Sequence, residues 1–281
     1  MQLAAWQTFA KERIPLGSYM LLSSGIAISP ALLATSDLSW MKMGFAVLGV
    51  LIFFIELRLM DEYKDQHKDK VAHPDRPIPR GLVSPQSLKG LIHIVYAGML
   101  AFSIALSWIS IEAALWYGVT SLWLGLMYRE FFIGKQLSRY PYLYAWSHQI
   151  ILIFLVCFAM GFWLPGYFHL NALNLGLLIL GAFFAYEICR KLDPKAHKIL
   201  GTYLVTYGKF KTFLMVASVL VFSTYGAWTL GFGWYLWPLQ AGLLLSLSLL
   251  WTAPEKYKLV ETLATINLIA HIWAGCLTLL S

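Results

Sequence analysis

Nine stretches of this chain are each apolar for about the 20 residues that a helix needs to cross a bilayer. They run over 15–36, 41–60, 88–110, 112–131, 143–164, 170–190, 212–231, 234–252 and 258–280, the eighth interrupted by Pro238. Hydrocarbon offers no partner to a backbone N–H or C=O, so each segment must satisfy its own, and a helix does that within one segment. With 59% hydrophobic and 12% charged residues, no polar stretch remains to build a separate soluble domain. The expected fold is an all-α polytopic membrane protein, nine transmembrane helices in one domain over 1–281. The first apolar run follows Lys11 and Arg13 without a small-residue cleavage site, and reads as a retained helix rather than a removable signal.

Charge orients this bundle. Of the 21 lysines and arginines only Lys42 falls in a loop on the far side, while the rest gather at the N-terminus and in 58–89, 129–139, 190–211 and 256–258. The positive-inside rule makes those loops cytoplasmic and the C-terminus external. The expected location is a bacterial inner membrane. The net charge of +7 then belongs to one membrane face, and without interleaved aromatics or base-reading patterns it argues against a nucleic-acid partner. Cys157, Cys189 and Cys276 have no CxxC spacing and read as packing residues.

Directly after the second apolar segment comes Met60–Gly81, MDEYKDQHKDKVAHPDRPIPRG. Asp61, Asp65 and Asp69 recur every fourth residue, with Glu62 beside the first, which puts the carboxylates along one side of a continuing helix. Such acids repel one another unless cations neutralise them. Lys64, Lys68, Lys70, Arg76 and Arg80 stand close by, so the segment suits a divalent cation and phosphate together, the cation's shell completed by phosphate oxygens. A solvated mixed-charge loop is the plainer alternative. A second charged cluster, Tyr186–Asp193 (YEICRKLD), ends the sixth segment. Four helices separate the two clusters, an even offset that places both on one membrane face, where they can share a pocket.

These residues carry a resemblance to the UbiA superfamily of intramembrane prenyltransferases. Its NDxxDxxxD pattern is matched by Asp61, Glu62, Asp65 and Asp69, with Asp for Asn and Glu for the first Asp. Its RPxPxG signature is present as Arg76, Pro77, Pro79 and Gly81. Arg13, Pro15 and Gly17 resemble its opening R-x-P-x-G, and Tyr128 and Arg129 its Tyr-x-x-basic element. The second cluster departs from the family's further DxxxD, having Glu187, Arg190, Lys191 and Asp193, with Lys191 where a carboxylate is expected. Two cations beside one carboxylate favour direct phosphate binding over a second metal ion. The alternative is that Glu187 simply pairs with Lys191 one turn on.

The resemblance implies a UbiA-like bundle that ionises an allylic polyprenyl diphosphate and transfers the prenyl group to a hydrophobic acceptor, aromatic or lipid. Mg²⁺ is the implied cofactor, with Asp61, Glu62, Asp65 and Asp69 as its candidate ligands. Arg76, Arg129, Arg190 and Lys191 are candidates for the diphosphate, and Asp61, Asp65, Glu187, Arg190 and Lys191 for catalysis. Lys64 and Lys68 read as solvent-facing neighbours of the acids. Among polar residues in or near the apolar segments, His148 is a candidate for the acceptor, and His271 reads as a satisfied core histidine. Glu56 and Glu261 are expected to face the bundle interior. Thr202, Tyr203 and Gly208 form either a lid or a plain turn into the seventh segment. A terpene cyclase of the same fold is the second functional reading. A transporter built on an intramembrane acid such as Glu261 is a distant third, because it leaves RPIPRG and the carboxylate spacing unexplained.

Overall fold

The computed structural model describes residues 2–35 and 38–280; Met1, Ser36, Asp37 and Ser281, which include both ends of the expected domain and the last residue of the first expected segment, lie outside the described residues. The described residues are helical, with no strand. Helix α1 (Gln2–Arg13) precedes α2 (Leu16–Ala34) and α3 (Trp40–Lys64), and a short α4 (Gln66–Ala72) leads through the proline-rich loop to α5 (Pro85–Leu106) and α6 (Ile111–Tyr128). After the single turn α7 (Gly134–Leu137) come α8 (Pro141–Gln149), α9 (Ile151–Met160) and α10 (Leu170–Cys189). Then α11 (Tyr203–Thr229), α12 (Gly233–Ser246), the one-turn α13 (Leu249–Thr252) and α14 (Tyr257–Ile272) complete the bundle.

Local chemistry sets several of these starts. Ser39, Ser84 and Ser110 each stand just before a helix and accept a hydrogen bond from the backbone N–H three residues on, at 3.5, 3.1 and 3.1 Å. Pro85 then occupies the first helical position of α5, where its missing N–H costs nothing.

Among the described residues seven spans are long and apolar enough to cross a membrane: α2, α3, α5, α8 with α9, α10, α11, and α12 with α13. The fourth and ninth expected segments are also helical but fall short of that standard. Helix α6, with 18 residues, opens beside Glu112, whose charge dilutes its hydropathy. Helix α14 has 16 residues and gives way to a 3₁₀ stretch over Ala274–Leu279.

Helix α10 is the centre of the bundle: 72% of its span is buried, against 17% for α5. It packs on α9, α11, α14 and α2. Gly181 permits the approach of α11, since a Cβ there would lie 2.5 Å from the Val219 carbonyl oxygen. Some of the buried polar groups in this region are hydrogen-bonded to one another, whereas the side-chain oxygen of Asn174 and the side-chain amide of Asn267 find no partner among the described residues. His271 lies with Nδ1 2.6 Å from the Asn267 carbonyl oxygen and Nε2 2.8 Å from Gln240 Nε2, making it a satisfied core histidine.

The two helices that carry the charged clusters, α3 and α10, both pack on α2. Beyond them, α4 rests on the 3₁₀ turn Lys198–Leu200 in the loop that follows α10. The two motif-bearing loops therefore meet at one end of the bundle.

Candidate active site

The helix expected to run straight through Asp61, Asp65 and Asp69 bends at Asp65, which closes α3 and opens α4. Backbone bonds of 2.9 Å still link Asp65 to Asp61 and Asp69 to Asp65, so the chain turns without a gap. The bend gives the acids different fates. Asp61 and Asp65 are exposed at the end of α3. Asp69 is buried on α4 and paired with Arg76 at 2.6 Å.

Glu62 is buried as well, about 100° around the helix from Asp61. Its Oε1 accepts from Arg13 Nε and Nη2 at 2.8 and 2.6 Å and lies 2.7 Å from Arg58 Nη2. Arg58 Nε in turn donates to the Arg13 carbonyl oxygen at 2.9 Å, tying the end of α1 to α3. Of the four acids expected as metal ligands, Asp61 and Asp65 form no ion pair with arginine among the described residues; Asp65 lies 3.9 Å from Lys68. Among the described residues no three His, Cys, Asp or Glu side chains converge as a metal site. Magnesium does not need three: one or two carboxylates plus substrate phosphates suffice, and the exposed pair Asp61 and Asp65 fits that requirement.

The basic residues are distributed in the same way. Within RPIPRG, Arg76 is engaged by Asp69, and Arg80 reaches Glu12 of α1 at 2.8 Å. Gly81 closes this loop at φ +76°, a conformation that L side chains rarely adopt. Arg129, at the end of α6, is exposed and forms no ion pair among the described residues. It opens onto three consecutive left-handed residues, Glu130, Phe131 and Phe132, at φ 51°, 53° and 59°. Strain of that kind persists only where neighbours hold it, and here Lys64 does so. Its Nζ donates to Tyr144 Oη at 2.8 Å and lies 3.3 Å from Glu130 Oε1. Lys64 is therefore not the solvent-facing neighbour that its sequence position suggests. The α6–α8 corner comes within reach of its long stem. Lys68, by contrast, is exposed as expected.

Across the cleft, Glu187 pairs with Arg190 at 2.5 Å and with Lys191, so the one-turn pairing with Lys191 is formed and Arg190 shares the same carboxylate. Burial pulls the Arg190 pKa down while the adjacent Glu187 carboxylate pushes it up; the net direction is up, and Arg190 keeps its charge. Asp193 lies apart, accepting from the Lys195 N–H at 2.8 Å. Asp61 is within electrostatic reach of both Glu187 and Arg190, which brings the two clusters together.

Beneath them lies an aromatic floor. Tyr19 of α2 stacks on Phe54 of α3 at 5.6 Å, Phe54 on Phe183 of α10 at 6.1 Å, and Phe183 meets Tyr186 edge-on at 6.3 Å. Sequence reading missed these rings. Phe54 stands two turns before Asp61 and Phe183 one turn before Glu187, so helical periodicity from the acids was the signal that could have found them.

The remaining candidates are spread out. His148 stacks on Tyr144 at 4.1 Å, with Nδ1 2.8 Å from the Tyr144 carbonyl oxygen and Nε2 buried without a partner. It adjoins the Lys64 corner. Glu56 is fully buried and neither of its oxygens has a hydrogen-bond partner among the described residues, while Glu261 pairs with Lys258 at 2.6 Å. Thr202 caps α11 by accepting from the Val205 N–H at 3.4 Å, and Gly208 breaks its first turns at φ +74°.

Fold and site together describe an integral membrane helical bundle that presents free carboxylates and cations at one end, above an apolar interior. Residues 21–262 match the UbiA prenyltransferase family, and the chain belongs to that family. A digeranylgeranylglyceryl phosphate synthase from Natronomonas pharaonis is 29% identical over 92 residues, a match that spans 33% of each chain. A solved structure of a digeranylgeranylglyceryl phosphate synthase superposes with a TM-score of 0.64 at 17% identity, covering 97% of this chain and 98% of the other. A UbiA homologue from Archaeoglobus fulgidus, bound to DMAPP and Mg²⁺, superposes with a TM-score of 0.60 at 11% identity, covering 95% and 98%. At these identities the two structures speak for the fold.

Proposed function

We propose that this protein ionises an allylic polyprenyl diphosphate in a Mg²⁺-dependent step and transfers the prenyl group to a hydrophobic acceptor. The observation that carries the reading is the juxtaposition of an unclaimed acid pair, Asp61 and Asp65, with Arg190 above the Tyr19–Phe54–Phe183 floor. The magnesium bound by the homologue supports the cofactor assignment. When bound, the ion supplies charge neutralisation at the departing diphosphate.

The protein's own groups do the rest. Asp61 and Asp65 would hold the ion, and Arg190, Lys191 and Arg129 would hold diphosphate oxygens by charge-assisted hydrogen bonds. Glu187 keeps Arg190 and Lys191 side by side, and Asp69 keeps Arg76 at the loop. Arg76 and Asp69 thus serve the site by shaping RPIPRG, and either can turn inward only by breaking a 2.6 Å pair. The aromatic floor shelters positive charge on the prenyl carbon at about 0.5–2 kcal/mol per ring contact, and the apolar interior excludes water that would quench it. His148, with its free Nε2, is the candidate group on the acceptor side.

The test is diphosphate release by purified protein with Mg²⁺ and geranyl or geranylgeranyl diphosphate, with and without a membrane lipid extract. Transfer requires slow release alone and a prenylated product when the extract is added. Rapid release of a cyclised hydrocarbon without acceptor would make the protein a cyclase instead, and no release in either arm would remove the enzymatic reading.

A further inference from the structure

Next to the loop that follows α10, α11 and α12 part along a seam that includes none of the site residues described above. Its first part is a groove of about 490 Å³ lined by Phe210, Phe213, Leu244, Leu245, Ser248 and Trp251. Its second part, of about 350 Å³, shares Leu244 and continues past Ala217, Leu220 and Val221 to Thr224 and Gln240. On α11 the lining positions 210, 213, 217, 220, 221 and 224 recur at three and four residues, one face of a single helix. From Phe210 to Thr224 that face is about 21 Å long at 1.5 Å per residue. Half the hydrocarbon core of a bilayer is about 15 Å thick, so the seam exceeds the apolar depth of one leaflet.

The two ends of the seam differ chemically. At the end near the basic loops, Lys209 lies one turn before Phe213 on the same face, and Lys256 follows the wall formed by Trp251. Both lysines are exposed, and neither forms an ion pair among the described residues. At the inner end the Thr224 hydroxyl donates to Gln240 Oε1 at 2.6 Å, and Gln240 Nε2 donates inward to Ser223 at 3.2 Å. These polar groups satisfy one another, which leaves an apolar trench whose charged groups, Lys209 and Lys256 with Glu255 beside the latter, stand at its outer end.

We propose that this seam binds one anionic phospholipid from the leaflet on the basic side, its phosphate at Lys209 and Lys256 and one acyl chain laid along α11 to Thr224. A chain there covers exposed Phe210 and Trp251, which the bundle itself leaves uncovered. The lysines then act as attachment points for phosphate, as basic groups do near anionic lipid. The site is separate from Asp61 and Glu187, and the proposal holds whichever acceptor the protein uses.

Native mass spectrometry of the purified full chain tests this, titrating phosphatidylglycerol against phosphatidylcholine of the same acyl length. The expected result is one phosphatidylglycerol retained about tenfold more tightly than phosphatidylcholine, with that preference lost in the double variant Lys209→Ala, Lys256→Ala. Both substitutions are on exposed side chains, so the variant should fold, and an unchanged thermal midpoint checks that it has. A third arm blocks the trench with Ala217→Trp, which should weaken retention of the lipid without altering diphosphate release. Equal binding of the two lipids by the unaltered chain, or an undiminished preference in the lysine variant, would overturn the proposal. So would one-for-one displacement of the lipid by geranylgeranyl diphosphate, which would make the seam part of the donor site.

Discussion

Asp61→Ala removes a carboxylate that no arginine holds, and its neighbour Glu62 gives the contrasting case. Losing a ligand to a hard cation forfeits several kcal/mol of charge stabilisation in the transition state, so Asp61→Ala should lower Mg²⁺-dependent diphosphate release at least ~100-fold. Because Asp61 is exposed, the thermal midpoint should barely move. Glu62→Gln should do the reverse. It leaves Arg13 and Arg58 facing a neutral amide in a part-buried site, a loss of about 3 kcal/mol in stability, while Mn²⁺ binding, followed by paramagnetic resonance in the presence of a diphosphate analogue, should persist. Loss of Mn²⁺ binding in Glu62→Gln at unchanged stability would restore Glu62 as a metal ligand. At the second cluster, Arg190→Gln should raise KM for the prenyl diphosphate about tenfold or more, since a charge-assisted hydrogen bond contributes roughly 1.5–3 kcal/mol. An effect confined to the Mg²⁺ dependence would instead give that cluster a metal-binding role.

Helices were legible in the sequence where a single strong constraint acted on them. Hydrophobic length found α2, α3, α5 and α10 to within a few residues, whereas the four-residue spacing predicted one acidic face that the bend at Asp65 divides. What the spacing could not carry was the bend at Asp65, because it depends on Arg76, seven residues beyond Asp69, pulling that acid into the loop. Likewise, nothing local in Tyr128–Phe132 announces three left-handed residues; they are imposed by Lys64 and Tyr144, which arrive from α3 and α8. The opposite holds for Gly81, whose place in RPIPRG already signals a turn. Gly81→Ala should cost about 1–2 kcal/mol, the penalty of a left-handed L-residue, and should loosen the Arg80–Glu12 contact with α1. Thermal unfolding measures the first effect. Proteolysis near the end of α1 reports the second, and unaltered cleavage there would separate the loop from the N-terminal helix.

Taken whole, the molecule requires its two charged loops to lie on the same side of the membrane, since α4 touches the turn Lys198–Leu200. Single cysteines placed in 61–89 and in 193–210, with the native three replaced, should therefore react with an impermeant reagent from one side only, and the distribution of lysine and arginine predicts that this side is the cytoplasm. Labelling of the two loops from opposite sides would be incompatible with a shared cleft.

The central position of α10 also has a consequence in time. The helix emerges from the ribosome after α9 but before α11 and α14, two of the neighbours that bury it. Until they arrive, Asn174 and the close-approach face at Gly181 have only lipid or earlier helices for company. A nascent chain that stops short of α14 should thus be inserted yet remain inert and open to quality-control proteases.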